Sequence, residues 1–134
     1  MMDVWVGVSD VRQKALKQAG KPIPPPVLIQ ALIDTGASHT VIDSALIPQL
    51  GLTPRGSVQV LTPTTGPIPC EQLTYDLAIF VPLTKGRQPW AFPFWIASEA
   101  DLQHQGFSML YGRDLLAGST LYYDGQARQF TLTF

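Results

Sequence analysis

Ala31-Leu-Ile-Asp-Thr-Gly-Ala-Ser-His-Thr40 closes an apolar run through Leu28, Ile29, Ala31, Leu32 and Ile33 that stops abruptly at Asp34. Apolar residues with no interposed charge suit a strand covered on both faces, and Gly36 supplies the freedom a sharp turn needs. The stretch therefore reads as a strand that delivers a carboxylate to a tight turn at the edge of the core, where partial desolvation acts on it. Asp-Thr-Gly is also an ordinary turn signal, because an Asp side chain hydrogen-bonds the backbone two residues on. As an isolated tripeptide it would carry no more than that, so the rest of the chain has to decide.

The 134 residues suffice for one domain, 1–134, with 1–26 as a first strand plus a variable link and 27–134 as the core. Twelve prolines and eleven glycines are scattered among many Val, Ile, Thr and aromatic residues, which predicts a mainly β fold with one or two short helices. Nine basic and ten acidic residues give a net charge of -1 with no cluster able to track a phosphate backbone, which argues against nucleic acid as a partner. The longest apolar runs, 77–83 and 90–97, are too short for a bilayer, so no membrane segment is expected. The start of the chain lacks the basic-then-apolar order of a signal peptide, and the expected location is cytoplasmic. Cys70 is the single cysteine; it reads as a small, partly buried apolar residue, and neither a thiolate metal site nor any cofactor is expected.

In chain order, Val4, Val6 and Val8 alternate with Trp5 in a first strand. Ser9 to Gly20 reads as a short helix with an apolar stripe at Val11, Ala15, Leu16 and Ala19, although a polar loop fits almost as well. Prolines at 22, 24, 25 and 26 make a stiff connector into the strand that ends at Asp34. Thr40 to Ile42 resumes an extended path, and 43–50 holds one or two helical turns ended by Gly51. Gly56 to Leu61 and Glu71 to Val81 read as two strands joined by the turn-rich 62–69, which is either a flap or a plain exposed hairpin. Trp90, Phe92, Phe94 and Ile96 alternate along a further strand and are expected in the core, and Ser98 to Gly106 is expected to be a polar connection. Ser108 to Tyr111 is a short strand running into Gly112-Arg113-Asp114, followed by a brief helix and a final hairpin around Asp124-Gly125.

Two single-copy features, Ala31-Leu-Ile-Asp-Thr-Gly-Ala-Ser38 and Leu110-Tyr-Gly-Arg-Asp114, stand in the order and spacing of a retropepsin, and the chain resembles that single-lobed aspartic protease family from Val27 to Phe134. The resemblance implies a closed acid-protease barrel or sandwich, one lobe per chain. It departs in having Tyr111 where an aliphatic residue is usual, a hairpin tip with one glycine among prolines, and a longer link over 9–26.

The function implied is an aspartic endopeptidase acting on extended polypeptides. Two carboxylates must face one water, and a chain with one Asp34 supplies the second only as a homodimer. The resemblance implies a catalytic Asp34 with Thr35 and Gly36, and substrate contacts at Ala37, Ser38, Thr65, Gly66, Ile68 and Tyr111. It further implies structural support from Thr40, Gly112, Arg113 and Asp114, with Arg113 forking onto groups of the active-site turn and Asp114 accepting from Thr40. Val60 and Leu61 are further candidate pocket walls. The segment from Arg128 to Phe134 would either interleave with its symmetry mate or form an edge strand. A non-catalytic dimer that binds peptides or assembles a complex is the alternative, since fold does not fix function.

Overall fold

The computed structural model describes residues 1–60 and 68–134. Its strands are β1 (Met2–Gly7), β2 (Val27–Ile33), β3 (Val41–Asp43), β4 (Gly56–Val60), β5 (Cys70–Val81), β6 (Trp90–Ala100), β7 (Met109–Tyr111), β8 (Thr120–Asp124) and β9 (Gln129–Thr133). Three short helices, α1 (Asp10–Gln18), α2 (Leu46–Leu50) and α3 (Arg113–Leu116), lie between them. The strand order β1-β2-β7-β3-β6-β5 closes on itself through a β1–β5 pairing, giving a mainly β, six-stranded barrel with β4 attached to the outside of β5. Closure removes the exposed edges that an open sheet would present. This is the architecture of a single acid-protease lobe.

The barrel is mixed, and the mixture positions the site. β2 and β3 flank β7, which runs parallel to β2 and antiparallel to β3. The turn between β2 and β3 must therefore arch over the end of β7. Inward side chains alternate as the β period requires: Val4 and Val6 of β1, Ile29 and Ala31 of β2, Met109 and Tyr111 of β7, and Tyr75, Leu77 and Ile79 of β5 are all buried. The outward residues of β2 stay accessible, with Leu28 at 49% exposure, so this strand is covered on one face rather than on both.

Ser9 caps α1 by accepting from Arg12 N at 3.1 Å, and Gly20 follows it in the left-handed region at φ 67°. The expected apolar stripe does not enter the core; α1 buries no residue, and Val11 is 58% exposed. Polar contacts tie it down instead: Ser9 Oγ donates to Asp76, and Arg12 donates to Gly51 O at 2.6 Å and Thr53 Oγ1 at 3.2 Å.

The aromatic alternation along β6 breaks at Pro93. Leu77 pairs with Trp95 but Ile79 pairs with Phe92, so two residues of β6 oppose one of β5. Proline cannot donate to the ladder, and the bulge reverses the inward parity beyond it. Phe92 and Trp95 consequently share a face, ring centroids 5.3 Å apart, and pack against the core, whereas Ile96 is exposed and Phe94 lies beneath the Arg55 guanidinium. Ser98, expected in a connection, lies within the strand on the face opposite the core and is nonetheless fully buried. At the far end Trp90 is partly exposed and stacks on Phe134, 5.1 Å between ring centroids. Cys70, expected partly buried, is exposed at the start of β5.

Tyr111 is fully buried and, among the described residues, its hydroxyl has no hydrogen-bond partner. Burial, and after it the nearby Asp114, raise its ionisation above the usual tyrosine range. The folded chain thus favours the neutral phenol. Stability from this group is intact below about pH 10, where an unfolded tyrosine also keeps its proton, and is lost as pH rises beyond that. Tyr111→Phe is expected to raise stability by about 1 kcal/mol in urea unfolding at neutral pH, because an unpaired buried hydroxyl is removed. The variant should also lose less stability than the native chain in the same assay at alkaline pH.

Candidate active site

Asp34 follows the last residue of β2, half-buried at the mouth of the barrel. Its backbone N–H donates to Tyr111 O at 3.0 Å, so the ladder between β2 and β7 extends one residue beyond the strand. Its Oδ1 accepts from Gly36 N at 2.9 Å, and Ala37 N closes the turn onto Asp34 O at 3.2 Å. The turn geometry and the exposed carboxylate are thus one device. A Cβ on Gly36 would stand 3.1 Å from that same Oδ1, so glycine keeps the space beside the acid clear. Among the described residues Oδ2 takes no hydrogen bond, which leaves one oxygen to meet water or substrate.

A second turn, 112–114, crosses beneath the first. Arg113 N donates to Ala37 O at 2.9 Å, and Gly112 N donates to Thr40 Oγ1 at 3.3 Å. The Asp114 carboxylate accepts from Thr40 N at 3.1 Å, Thr40 Oγ1 at 2.7 Å, Trp95 Nε1 at 3.0 Å and Leu115 N at 2.9 Å. An ionised acceptor with four donors locks the two turns together. Gly112 is required sterically: a Cβ there would lie 2.6 Å from both the C and the O of His39.

Thr40, Gly112 and Asp114 lie in contact with one another, and Trp95 joins them through the bulge at Pro93, which no sequence pattern marked. Arg113 departs from expectation. Its side chain is exposed and among the described residues meets no acceptor, so its contact with the turn is made by its backbone. Thr35 and Gly36 are exposed on the turn, Ala37 is half-buried and Ser38 is exposed. Ile68 is 72% exposed ahead of β5; Leu61, Thr65 and Gly66 lie outside the described residues.

Tyr111, expected to line the substrate cleft, faces the interior instead. Alternation along β7 turns its neighbour Leu110 outward. Leu110 pairs with Leu32 on one side and Val41 on the other, so these three apolar side chains form a cross-strand row on the outer face, ending two residues from Asp34. Counting parity from the buried Tyr111 would have found them. Beside the turn, a cavity of about 390 Å³ is lined by Met1, Leu32, Ile33, Thr35, Leu121, Tyr123 and Phe130. It opens between β2 and the β8–β9 hairpin, which among the described residues pairs with itself and not with the barrel.

Residues 24–78, which contain the Asp34 turn, match the model of a family described as aspartyl protease. The match supports a retropepsin-like aspartic protease family. No significant match was found among curated proteins or solved structures. The aspartyl protease match supports a protease-type function, and the matched residues contain the Asp34 turn. Among the described residues no helix is long and apolar enough to cross a membrane.

Gly112→Ala is expected to destabilise the fold by about 3 kcal/mol or to prevent soluble expression, since backbone and not a flexible side chain occupies the space. Gly118→Ala, where a Cβ meets nothing within 4 Å, should leave the thermal midpoint near the native value and serves as the control.

Proposed function

We propose that this chain is an aspartic endopeptidase that works as a homodimer, with Asp34 of each copy sharing one water. The observation that carries this reading is the single Asp34, half-buried at the mouth of the barrel and held by backbone bonds, with one oxygen unengaged among the described residues. One carboxylate cannot both take a proton from water and give one to the scissile carbonyl, whereas two facing carboxylates that hold one proton between them can. In the first step the ionised Asp34 removes a proton from the water as its oxygen bonds to the carbonyl carbon, and the protonated Asp34 donates to the carbonyl oxygen. In the second the tetrahedral carbon expels the amine, which takes the proton that the first Asp34 gained from water, while the other Asp34 recovers a proton from a hydroxyl on that carbon as the carboxyl product forms, and the dyad returns to its starting state.

Two features support a second copy as the partner. The open apolar cavity beside Thr35 and the outer edges of the β8–β9 hairpin, unpaired among the described residues, lie next to the site, where a two-fold interface would cover both. Tyr122 and Tyr123, each 67% exposed, lie on that hairpin. An extended substrate would run across the partly exposed Leu32 and Leu110, setting side chains against them. Apolar residues beside the cut follow from that lining.

Asp34→Asn should lower peptide cleavage by about 10³-fold or more with folding unchanged by circular dichroism, because the amide can neither accept nor shuttle the proton. Undiminished cleavage in that variant would end the mechanism. Activity per chain should fall on dilution in parallel with the loss of dimer seen by analytical ultracentrifugation. A monomer with full activity per chain would refute the shared site.

A further inference from the structure

Residues 11–33 hold four basic side chains, Arg12, Lys14, Lys17 and Lys21, and no acidic one, in a chain whose remainder carries five basic residues against ten acidic. The cations sit on α1 and the start of the proline connector, which together lead from the end of β1 to the start of β2. β1 and β2 are antiparallel, so this connection lies at the opposite end of β2 from Asp34, about 23 Å away along a seven-residue strand rising ~3.3 Å per residue. α1 buries no residue, yet the bonds of Ser9 and Arg12 fix it to the barrel. Core packing therefore does not account for its placement.

Between α1, the connector and the end of α2 lies a cavity of about 310 Å³. Its apolar walls are Leu16, Pro22, Pro24 and Leu50; its charged groups are Arg12 and Lys21, and among the described residues no acid lines it. Arg12 and Leu16, four residues apart, share one side of the helix. Arg12 donates to Gly51 O at 2.6 Å and to Thr53 Oγ1 at 3.2 Å through its two terminal nitrogens, which fixes the guanidinium against the cavity while each nitrogen keeps a second N–H. Lys21 is exposed beside it.

We propose that this cavity is a docking site for an acidic peptide segment, one that sets a single apolar side chain between the walls and carries Glu or Asp beside it to meet Arg12 and Lys21. The inference does not depend on the endopeptidase reading. The volume stands at the small end of the range for ligand pockets, which suits one large side chain. The prolines have φ already fixed, so the walls lose little freedom when it enters. Charge complementarity sets the class of partner: Lys14 and Lys17, exposed on the other side of α1, add to the positive field without lining the cavity. A membrane surface fits less well, since α1 is nine residues long with Val11 and Leu16 as its only large apolar side chains. Nucleic acid fits less well because, among the described residues, no aromatic ring lines the cavity for a base to stack on.

The test titrates the full chain into a fluorescein-labelled peptide, Ser-Glu-Glu-Leu-Glu-Glu-Ser, and follows anisotropy at low ionic strength. Saturable binding is expected, and it should weaken about tenfold when Gln replaces every Glu of the probe or when Ser replaces its Leu. Lys21→Gln should also weaken it about tenfold, whereas Lys14→Gln, which removes the same charge from the far side of α1, should weaken it about twofold or less. Both side chains are exposed, so circular dichroism should show both variants folded. Absence of saturable binding, equal losses in the two variants, or indifference to the Leu of the probe would overturn the site. Binding to phosphatidylserine vesicles in place of the peptide would overturn it in favour of a membrane surface. Peptide cleavage plays no part in the readout, so failure of this site and failure of the endopeptidase reading are seen separately.

Discussion

The Asp114 carboxylate holds the molecule's two critical turns in one place. Its four donors come from Thr40, Trp95 and Leu115, which lie on three separated parts of the chain. Charge-assisted bonds of this kind are each worth about 1.5–3 kcal/mol in suitable settings, more than an ordinary hydrogen bond and enough to fix a turn against thermal motion. The contact is made at the point where β2, β7 and β3 run side by side, so the position of Asp34 is dictated by the barrel and not by its own loop.

From that constraint the remaining parts of the site follow. Parallel pairing of β2 with β7 ends both strands at the same edge, and the turn that continues from β2 has to cross the one that continues from β7. Gly112 lets them touch, since any side chain there would collide with the His39 backbone. The crossing leaves Asp34 half-exposed, sends Leu110 and Val41 to the outer face, and lays His39 across Ser98. A half-exposed acid and the outward row beside it thus arise from one piece of strand topology.

The long link between β1 and β2 sits apart from this machinery. α1 contributes nothing to the core and is tied by Ser9, Asp76 and Arg12 to the outside of the barrel. The β8–β9 hairpin is likewise a separate two-stranded sheet, joined to the barrel by packing such as Trp90 against Phe134. Both are additions to a barrel that closes without them, and the hairpin alone stands beside the acid.

By itself the sequence settled what local chemistry can settle. The apolar run into Asp34, the turn residues after it, the cap at Ser9 and the stop at Gly51 could be read because each depends on short-range geometry, whereas the Thr40–Asp114 partnership, 74 residues apart, was implied only by the family resemblance. Three-dimensional structure decided everything that depends on which face a residue shows. A bulge at Pro93 reversed the parity of β6 and turned Ile96 outward, parity along β7 took Tyr111 inside and left Leu110 on the outer face, and strand register brought His39 onto Ser98, 59 residues away. Side-chain facing in a β barrel is set by pairing between distant strands, and a one-residue slip inverts it, so no local pattern contains that information.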